Sequence, residues 1–346
     1  MQGISKRVRL LIVDDSVFFR NALSAGLSED PEIEVVGRAV DADDAVKQIG
    51  RLRPDVITLD VEMPKMNGIE FLKVLLQKEH VRVVLVSSLN ISVFDALSAG
   101  AIDFVRKPDM GNAESVRVFF SELGRKVKVA AGANVRVKGL GTSTSNVLSA
   151  FGNMADSVVI AIGASTGGTE ATLEIVKNFP KDTPGMVVVQ HMPPGFTKMY
   201  ADRLDRICKM EVREAANGDE IRTGCILIAP GDYHMTVQKS GTKYTVRCFG
   251  GEKVSGHRPS VDVLFDSVAD QVKSKAIGVI LTGMGRDGAS GLLKMRKAGA
   301  FTIGQNEESC VVYGMPMVAY EIGAVATQAS LEKIPDVIAE GLRKKA

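Results

Sequence analysis

The 346-residue sequence contains no tryptophan, and aromatic side chains make up only 5% of it. That poverty argues against a platform of aromatics on which nucleic-acid bases stack. Charge of either sign is also nearly absent in net: 43 Lys and Arg against 41 Asp and Glu leave +2. So small a balance disfavours attachment to nucleic acid or an anionic membrane through bulk charge, though a local basic patch would escape the argument. No apolar run approaches the roughly 18 residues of a transmembrane helix. The opening MQGISKRVRLLIVDD turns from basic to apolar, but Asp14 and Asp15 end the apolar run too soon for a signal peptide. Cysteines are few. Cys208, Cys225, Cys248 and Cys310 are widely spaced without a CxxC pair, which argues against a disulfide framework or paired zinc ligands and points to a reduced, cytoplasmic protein.

What is present is 45% apolar residues over a length that suits two globular domains. In the first part, short β-rich runs alternate with amphipathic stretches. RLLIV (9–13), 34–40, 54–60, 81–88 and 103–107 read as strands; 16–27, 42–49, 68–77, 93–100 and 114–127 read as helices. Single helices between strands predict a doubly wound parallel sheet covered on both faces. Composition then shifts to Gly, Ser, Thr and Asn over 131–156, the expected tether. A second α/β series begins at SVVIAIG (157–163). Further strands are expected at 185–190, 276–283, 300–305 and 324–328, with helices between them. A period-two alternation over 234–249, around Ser240-Gly241, predicts an antiparallel hairpin.

Ligands of parallel α/β sheets gather beyond the carboxyl ends of the strands. In the first series those ends carry Asp14 and Asp15, Asp60, Ser87 and Lys107. Three close carboxylates repel one another unless a cation lies among them, and Mg²⁺ is the hard, oxygen-seeking ion suited to that role. One carboxylate could then attack a phosphoryl donor to give an aspartyl-phosphate. The alternative is structural: a helix-capping Asp pair and a surface lysine.

The stretches LIVDDS, TLDVEMPKMNGIEFL and AIDFVRKP resemble the receiver domain of bacterial response regulators over about residues 7–125. The resemblance implies a flavodoxin-like fold with Asp60 as phosphoacceptor. It implies Mg²⁺ held by Asp15, Asp60 and the Glu62 backbone carbonyl, with Asp14 in support. Ser87 and Lys107 would hold phosphoryl oxygens, and Phe104 would be the aromatic switch residue.

The second series opens on SVVIAIGASTGGTEATLEIV (157–176), a strand, a glycine-rich turn and a helix. Gly163-Ala164-Ser165-Thr166-Gly167 fits G-x-S-x-G, which can present a serine nucleophile above free helix N–H groups. The same turn could instead cradle a phosphate, although it lacks G-x-G-x-x-G and GK[ST], or be no more than a packed turn. A nucleophile needs a base. Of the four histidines, His80 lies in the first series on the end away from the acids, His234 at the hairpin and His257 in a loop. His191 directly follows the strand at 185–190 and reaches the same sheet edge as Ser165. Asp287, beyond the strand at 276–283, is the expected orienting acid, with Asp262 and Asp232 as rivals. The order Ser, His, Asp matches neither α/β-hydrolases nor subtilisin.

AIGASTGGTEA, VVVQHMPPGFT, ILIAPGDYHM, GHRPSVDVLFDS, ILTGMGRDGA and ESCVVYGMP resemble the CheB family of chemotaxis protein-glutamate methylesterases. The resemblance implies a receiver at 1–127, a linker at 128–155 and a catalytic domain at 156–346, with Ser165, His191 and Asp287 as triad. It implies glutamyl methyl esters on chemoreceptor cytoplasmic helices as substrate, a chemotaxis histidine kinase as phosphodonor, and deamidation of receptor glutamines. No cofactor is expected for the ester chemistry, nor any nucleic-acid partner or membrane insertion. Oxyanion donors are expected among the backbone N–H groups of Thr166, Gly167 and the Gly283-Met284-Gly285 turn. The unphosphorylated receiver would limit access to the catalytic face. Two rivals are a receiver-controlled binding protein without covalent chemistry and a DNA-acting regulator; the strand-rich second half disfavours the latter.

Overall fold

The structure is a computed structural model that describes residues 7–63, 67–79, 81–88, 92–134 and 157–345. The chain divides into two compact units, residues 1–139 and 140–346.

The first unit is built from β1 (Val8–Val13), α1 (Val17–Ser28), β2 (Ile33–Ala39), α2 (Ala42–Leu52), β3 (Val56–Asp60), α3 (Gly68–Lys78), β4 (Arg82–Ser87), α4 (Ser92–Ala99), β5 (Asp103–Arg106) and α5 (Ala113–Ala131). The strands form a parallel sheet ordered β2-β1-β3-β4-β5. β3 is buried throughout and β4 over all but its first residue. Continuous apolar runs are what a sheet covered on both faces demands. Helices begin where a short polar side chain can take an orphan N–H: Ser16 accepts from Phe19, Asp41 from Asp44 and Asn67 from Ile69. The chain leaves β1 for β2 on one side and later returns for β3 on the other. The crevice of this sheet therefore opens at the ends of β1 and β3.

α5 runs to Ala131, four residues beyond the expected end at 127. Val127, Ala130 and Ala133 are all buried, so packing carries the helix into what composition marks as tether. The rest of that expected tether, residues 135–156, lies outside the described residues, as does His80.

The second unit comprises β6 (Val159–Ala164), α6 (Gly168–Val176), β7 (Met186–Gln190), α7 (Phe196–Ile207), β8 (Glu211–Glu214), β9 (Cys225–Ile228), β10 (His234–Ser240), β11 (Lys243–Phe249), α8 (Val261–Gln271), β12 (Ala276–Ile280), α9 (Ala289–Lys297), β13 (Phe301–Gln305), α10 (Met315–Glu321), β14 (Thr327–Ala329) and α11 (Ile334–Arg343). Seven strands form a parallel sheet ordered β14-β13-β12-β6-β7-β9-β8. β10 and β11 form the expected antiparallel hairpin, whose Met235, Val237, Tyr244 and Val246 share a core with Leu264 and Val268 of α8. The order reverses at β6, which has β7 on one side and β12 on the other. Residues leaving the carboxyl ends of these three strands meet in one crevice.

Two strands escape sequence reading. β8 is a short edge strand of sequence EVRE, and β9 has only four residues. The last strand starts at Thr327 rather than at 324, because the Ala324 N–H is used to close the end of α10 on the Ala319 carbonyl. None of the four cysteines is in a disulfide; Cys225 and Cys310 are buried.

Candidate functional site

In the second unit the strand register assembles the predicted residues. Ala164 of β6 pairs with Gln190 of β7, so Ser165 and His191 each stand one residue past the paired ends. The His191 N–H donates to the Ala164 carbonyl at 3.1 Å, and the Ser165 N–H donates to the Thr282 carbonyl beyond β12 at 3.0 Å. Ser165 does not itself adopt a left-handed backbone. The sharp part of the turn falls at Gly167, with φ 78°, where a Cβ would lie 2.7 Å from the Val311 side chain. Only glycine fits both demands.

His191 Nε2 lies 2.8 Å from Asp287 Oδ2, and both side chains are buried. The arrangement leaves Nδ1 as the ring nitrogen available to a hydroxyl; it is buried with no hydrogen-bond partner among the described residues. Sequence places Asp287 only as an acid at the start of the helix that follows it. Its carboxylate instead faces the N-terminus of α8. Oδ2 also accepts from the Val261 N–H at 2.7 Å, while Oδ1 accepts from the Ser260 hydroxyl at 2.7 Å and the Asp262 N–H at 3.1 Å. Burial works against this charge, yet the His191 ring, the Ser260 hydroxyl and the Val261 N–H outweigh it and hold Asp287 at about 2. A carboxylate so held stays ionised and can stabilise an imidazolium.

The rival acids have other employment. Asp262 accepts from the Gly291 N–H at 2.7 Å, and burial lifts it to about 6. Asp232 pairs with Arg258 at 2.6 Å. His234 bonds the Glu252 carbonyl at 2.8 Å, and its Nδ1 accepts from the Ser260 N–H.

Three further residues that sequence does not single out as catalytic bear on the site. The Gln190 carboxamide donates to the Ser165 carbonyl at 2.9 Å and lies 3.3 Å from that of His191. Thr282 takes the Ser165 N–H on its carbonyl, and its hydroxyl lies 3.0 Å from the Thr166 carbonyl. His257 stacks on His191. A glutamine before a histidine and a threonine in a turn carry no periodic signal; only the fold brings them in. Among the expected oxyanion donors, Gly283 is removed, because its N–H is committed to the Val312 carbonyl at 3.0 Å. Thr166 is buried beside Ser165 and Met284 is 37% exposed. Gly167 N–H has no acceptor among the described residues.

In the first unit Asp14 and Asp60 are buried and Asp15 is exposed, and one oxygen from each lies within 4.8 Å of the others. Lys107 Nζ is 2.6 Å from Asp60 Oδ2 and 3.4 Å from Asp14 Oδ2, the latter too long for a good hydrogen bond. The Glu62 N–H donates to Asp60 Oδ1 at 3.1 Å. Burial raises both carboxyls, Asp14 to about 6, and the Lys107 charge only partly offsets it. For Lys107, burial is outweighed by the two carboxylates, which hold it above the usual lysine range. Ser87 Oγ is buried without a hydrogen-bond partner among the described residues. Three clustered carboxylates, two of them facing one ammonium, with an orphaned hydroxyl at the end of the neighbouring strand, fit a divalent cation and a phosphoryl group. Phe104 is buried edge-on against Phe94 at 6.4 Å, and the buried Lys126 ammonium bonds its carbonyl at 2.6 Å.

Comparison with known proteins gives concordant matches. The CheB methylesterase family matches residues 160–338, and the response regulator receiver domain matches residues 10–115. The chain is 57% identical over 330 residues to protein-glutamate methylesterase/protein-glutamine glutaminase 2 of Syntrophomonas wolfei subsp. wolfei, covering 95% of this chain and 96% of that one. It is 50% identical over 348 residues to the protein-glutamate methylesterase/protein-glutamine glutaminase of Syntrophotalea carbinolica, covering 97% and 99%. The crystal structure of the Thermotoga maritima CheB methylesterase catalytic domain aligns with a TM-score of 0.52 at 41% identity, over 54% of this chain and 98% of that one.

Proposed function

The chain belongs to the CheB methylesterase family, with an N-terminal response regulator receiver domain, and from that premise we propose that Ser165, His191 and Asp287 carry its chemistry. It is a protein-glutamate methylesterase and protein-glutamine glutaminase of chemotactic adaptation. Its substrates are glutamyl methyl esters and glutamines on the cytoplasmic helices of chemoreceptors, which makes it a cytoplasmic enzyme. The observation that carries this reading is the 2.8 Å contact of His191 with a deeply ionised Asp287, one strand away from Ser165.

In this mechanism the Ser165 hydroxyl attacks the ester carbonyl carbon while His191 Nδ1 takes its proton. Asp287 holds the resulting imidazolium through Nε2. Backbone N–H groups of Thr166, Gly167 and Met284 are the proposed donors to the tetrahedral oxyanion. The C–O bond to the methoxy group breaks and His191 returns the proton, so methanol leaves; from a glutamine the C–N bond breaks and ammonia leaves. Water, deprotonated by the same imidazole, then cleaves the acyl-serine to give glutamate and free Ser165. Methanol release from methylated receptor tests the assignment. Ser165→Ala should abolish release, and release at the wild-type rate would refute the nucleophile.

The first unit supplies the switch. Asp60 is the proposed phosphoacceptor, with a chemotaxis histidine kinase as donor. Asp14, Asp15, Asp60 and the Glu62 carbonyl would hold Mg²⁺, which when bound neutralises charge on phosphoryl oxygens. Ser87 and Lys107 would take the remaining phosphoryl oxygens, and Phe104 would respond to the change at Ser87. We place the receiver at residues up to 131 and the catalytic domain from about 156, with phosphorylation relieving inhibition by the receiver.

A further inference from the structure

Among the described residues, the ring of the proposed base makes one hydrogen bond. Nε2 of His191 is tied to Asp287, which leaves the ring able to rotate about its Cβ–Cγ bond and swing Nδ1 through an arc. A second imidazole lies across that motion. The rings of His257 and His191 are stacked with centroids 3.8 Å apart and planes within 9° of parallel.

The loop that brings His257 there is heavily fastened. His257 and Val254 exchange both backbone hydrogen bonds, at 2.9 and 3.1 Å. The adjacent Arg258 guanidinium grips Asp232 Oδ1 through two nitrogens, at 2.6 and 3.0 Å, and also bonds the Gly251 carbonyl. The Asp232 N–H returns a bond to the Arg258 carbonyl at 3.2 Å. His234 ties the start of the loop, through the Glu252 carbonyl, to its end, through the Ser260 N–H. Ser260 in turn bonds Asp287. The histidine and the aspartate that compete on sequence for catalytic roles thus brace the segment carrying the second imidazole.

We propose that His257 is a positioning residue for the base: its ring lies flat on His191 and holds the imidazole plane in which Nδ1 can receive the serine proton. The inference rests on the triad reading. A face-on ring at van der Waals separation opposes tilting at little cost, and small misplacements of a reacting group reduce rate steeply.

The experiment uses the full-length enzyme, phosphorylated with a small-molecule phosphodonor and Mg²⁺, and measures methanol release from methylated receptor and labelling of Ser165 by a fluorophosphonate. His257→Ala should lower kcat about tenfold, with KM changed by less than about twofold and labelling slowed in parallel. His257→Phe, which restores a flat ring without a titrating nitrogen, should recover most of both rates. The inference fails if His257→Ala keeps wild-type kcat, if KM rises while kcat holds, which would mean a substrate contact, or if His257→Phe is as slow as His257→Ala. Wild-type enzyme left unlabelled at Ser165 would overturn the triad, and this inference with it. Wild-type labelling matched by equally fast labelling of His257→Ala would overturn the positioning role alone.

Discussion

The backbone N–H of Val261 donates to Asp287 Oδ2 at 2.7 Å, on the same oxygen that meets His191 Nε2 at 2.8 Å. The first residue of a helix and the histidine proposed as base thus share one carboxylate oxygen. Against burial, the His191 ring does most to hold Asp287 ionised, the Ser260 hydroxyl comes next, and the Val261 N–H at the start of α8 adds to them, as a helix N-terminus favours negative charge. On the proposed triad, catalysis and the anchoring of α8 therefore depend on the same charge.

Asp287→Asn should separate the two roles. With the tautomer of His191 no longer set, kcat should fall by about 10³–10⁴, read as methanol release. Stability should fall too, with a defined pH signature. Because the folded-state pKa is depressed to about 2, the charge stabilises fully above the ordinary carboxylate range and loses that effect as pH falls toward 2. The wild type should exceed Asp287→Asn by about 2 kcal/mol near neutrality, with the gap closing between about pH 4 and pH 2. A gap that persists at pH 2 would count against the assignment.

Gly167→Ala tests the turn. The positive φ, and a methyl group that would lie 2.7 Å from the Val311 side chain, should together cost about 1–3 kcal/mol, measured by denaturant unfolding. kcat should drop more than KM changes, because the turn aims the nucleophile. Unaltered kcat would show that Ser165 is positioned independently of this residue.

At the receiver site the sign is opposite. Asp14 is raised to about 6, chiefly by burial, so its charged form opposes folding, and the penalty grows as pH rises from about 4 to about 6 and is fully present above. Asp14→Asn should therefore stabilise the metal-free first unit by about 1–2 kcal/mol at pH 8, with little effect at pH 4. Mg²⁺ should raise the melting temperature of the wild type, and the same substitution should remove that rise. A less stable variant at pH 8 would contradict the burial argument.

Asp60→Asn should leave basal methanol release intact while abolishing its stimulation by phosphodonor and Mg²⁺. A fragment beginning near residue 157 should work without either. A fragment no faster than the unphosphorylated full chain would argue against inhibition by the receiver.

Much of this is legible in residue order. Runs such as VITLD and MVVVQ, buried at every position, announce strands of a parallel sheet, and their ends nominate Asp60 and His191. Asp287 can be nominated in the same way, but not the helix that helps hold it ionised, since Val261 lies 26 residues away and meets it only through the fold. β8 escapes because an edge strand need not be apolar, and EVRE looks like surface. His257 reads as a mere loop residue for a related reason. Stacking is a relation between two side chains 66 residues apart, and nothing in a loop's own composition encodes it.

The three residues of the proposed triad follow strands β6, β7 and β12, and the last of them is reached only at residue 287. During synthesis, when domains fold from the N-terminus as they emerge at about 5–20 residues per second, α5 is complete at Ala131. The ribosome then needs about ten to thirty seconds more to deliver Asp287. Ser165 and His191 exist through most of that interval without the acid proposed to orient them. A nascent chain that ends before Asp287 should consequently be inert, and on the proposed reading the inhibitory domain is complete before there is any hydrolase to restrain.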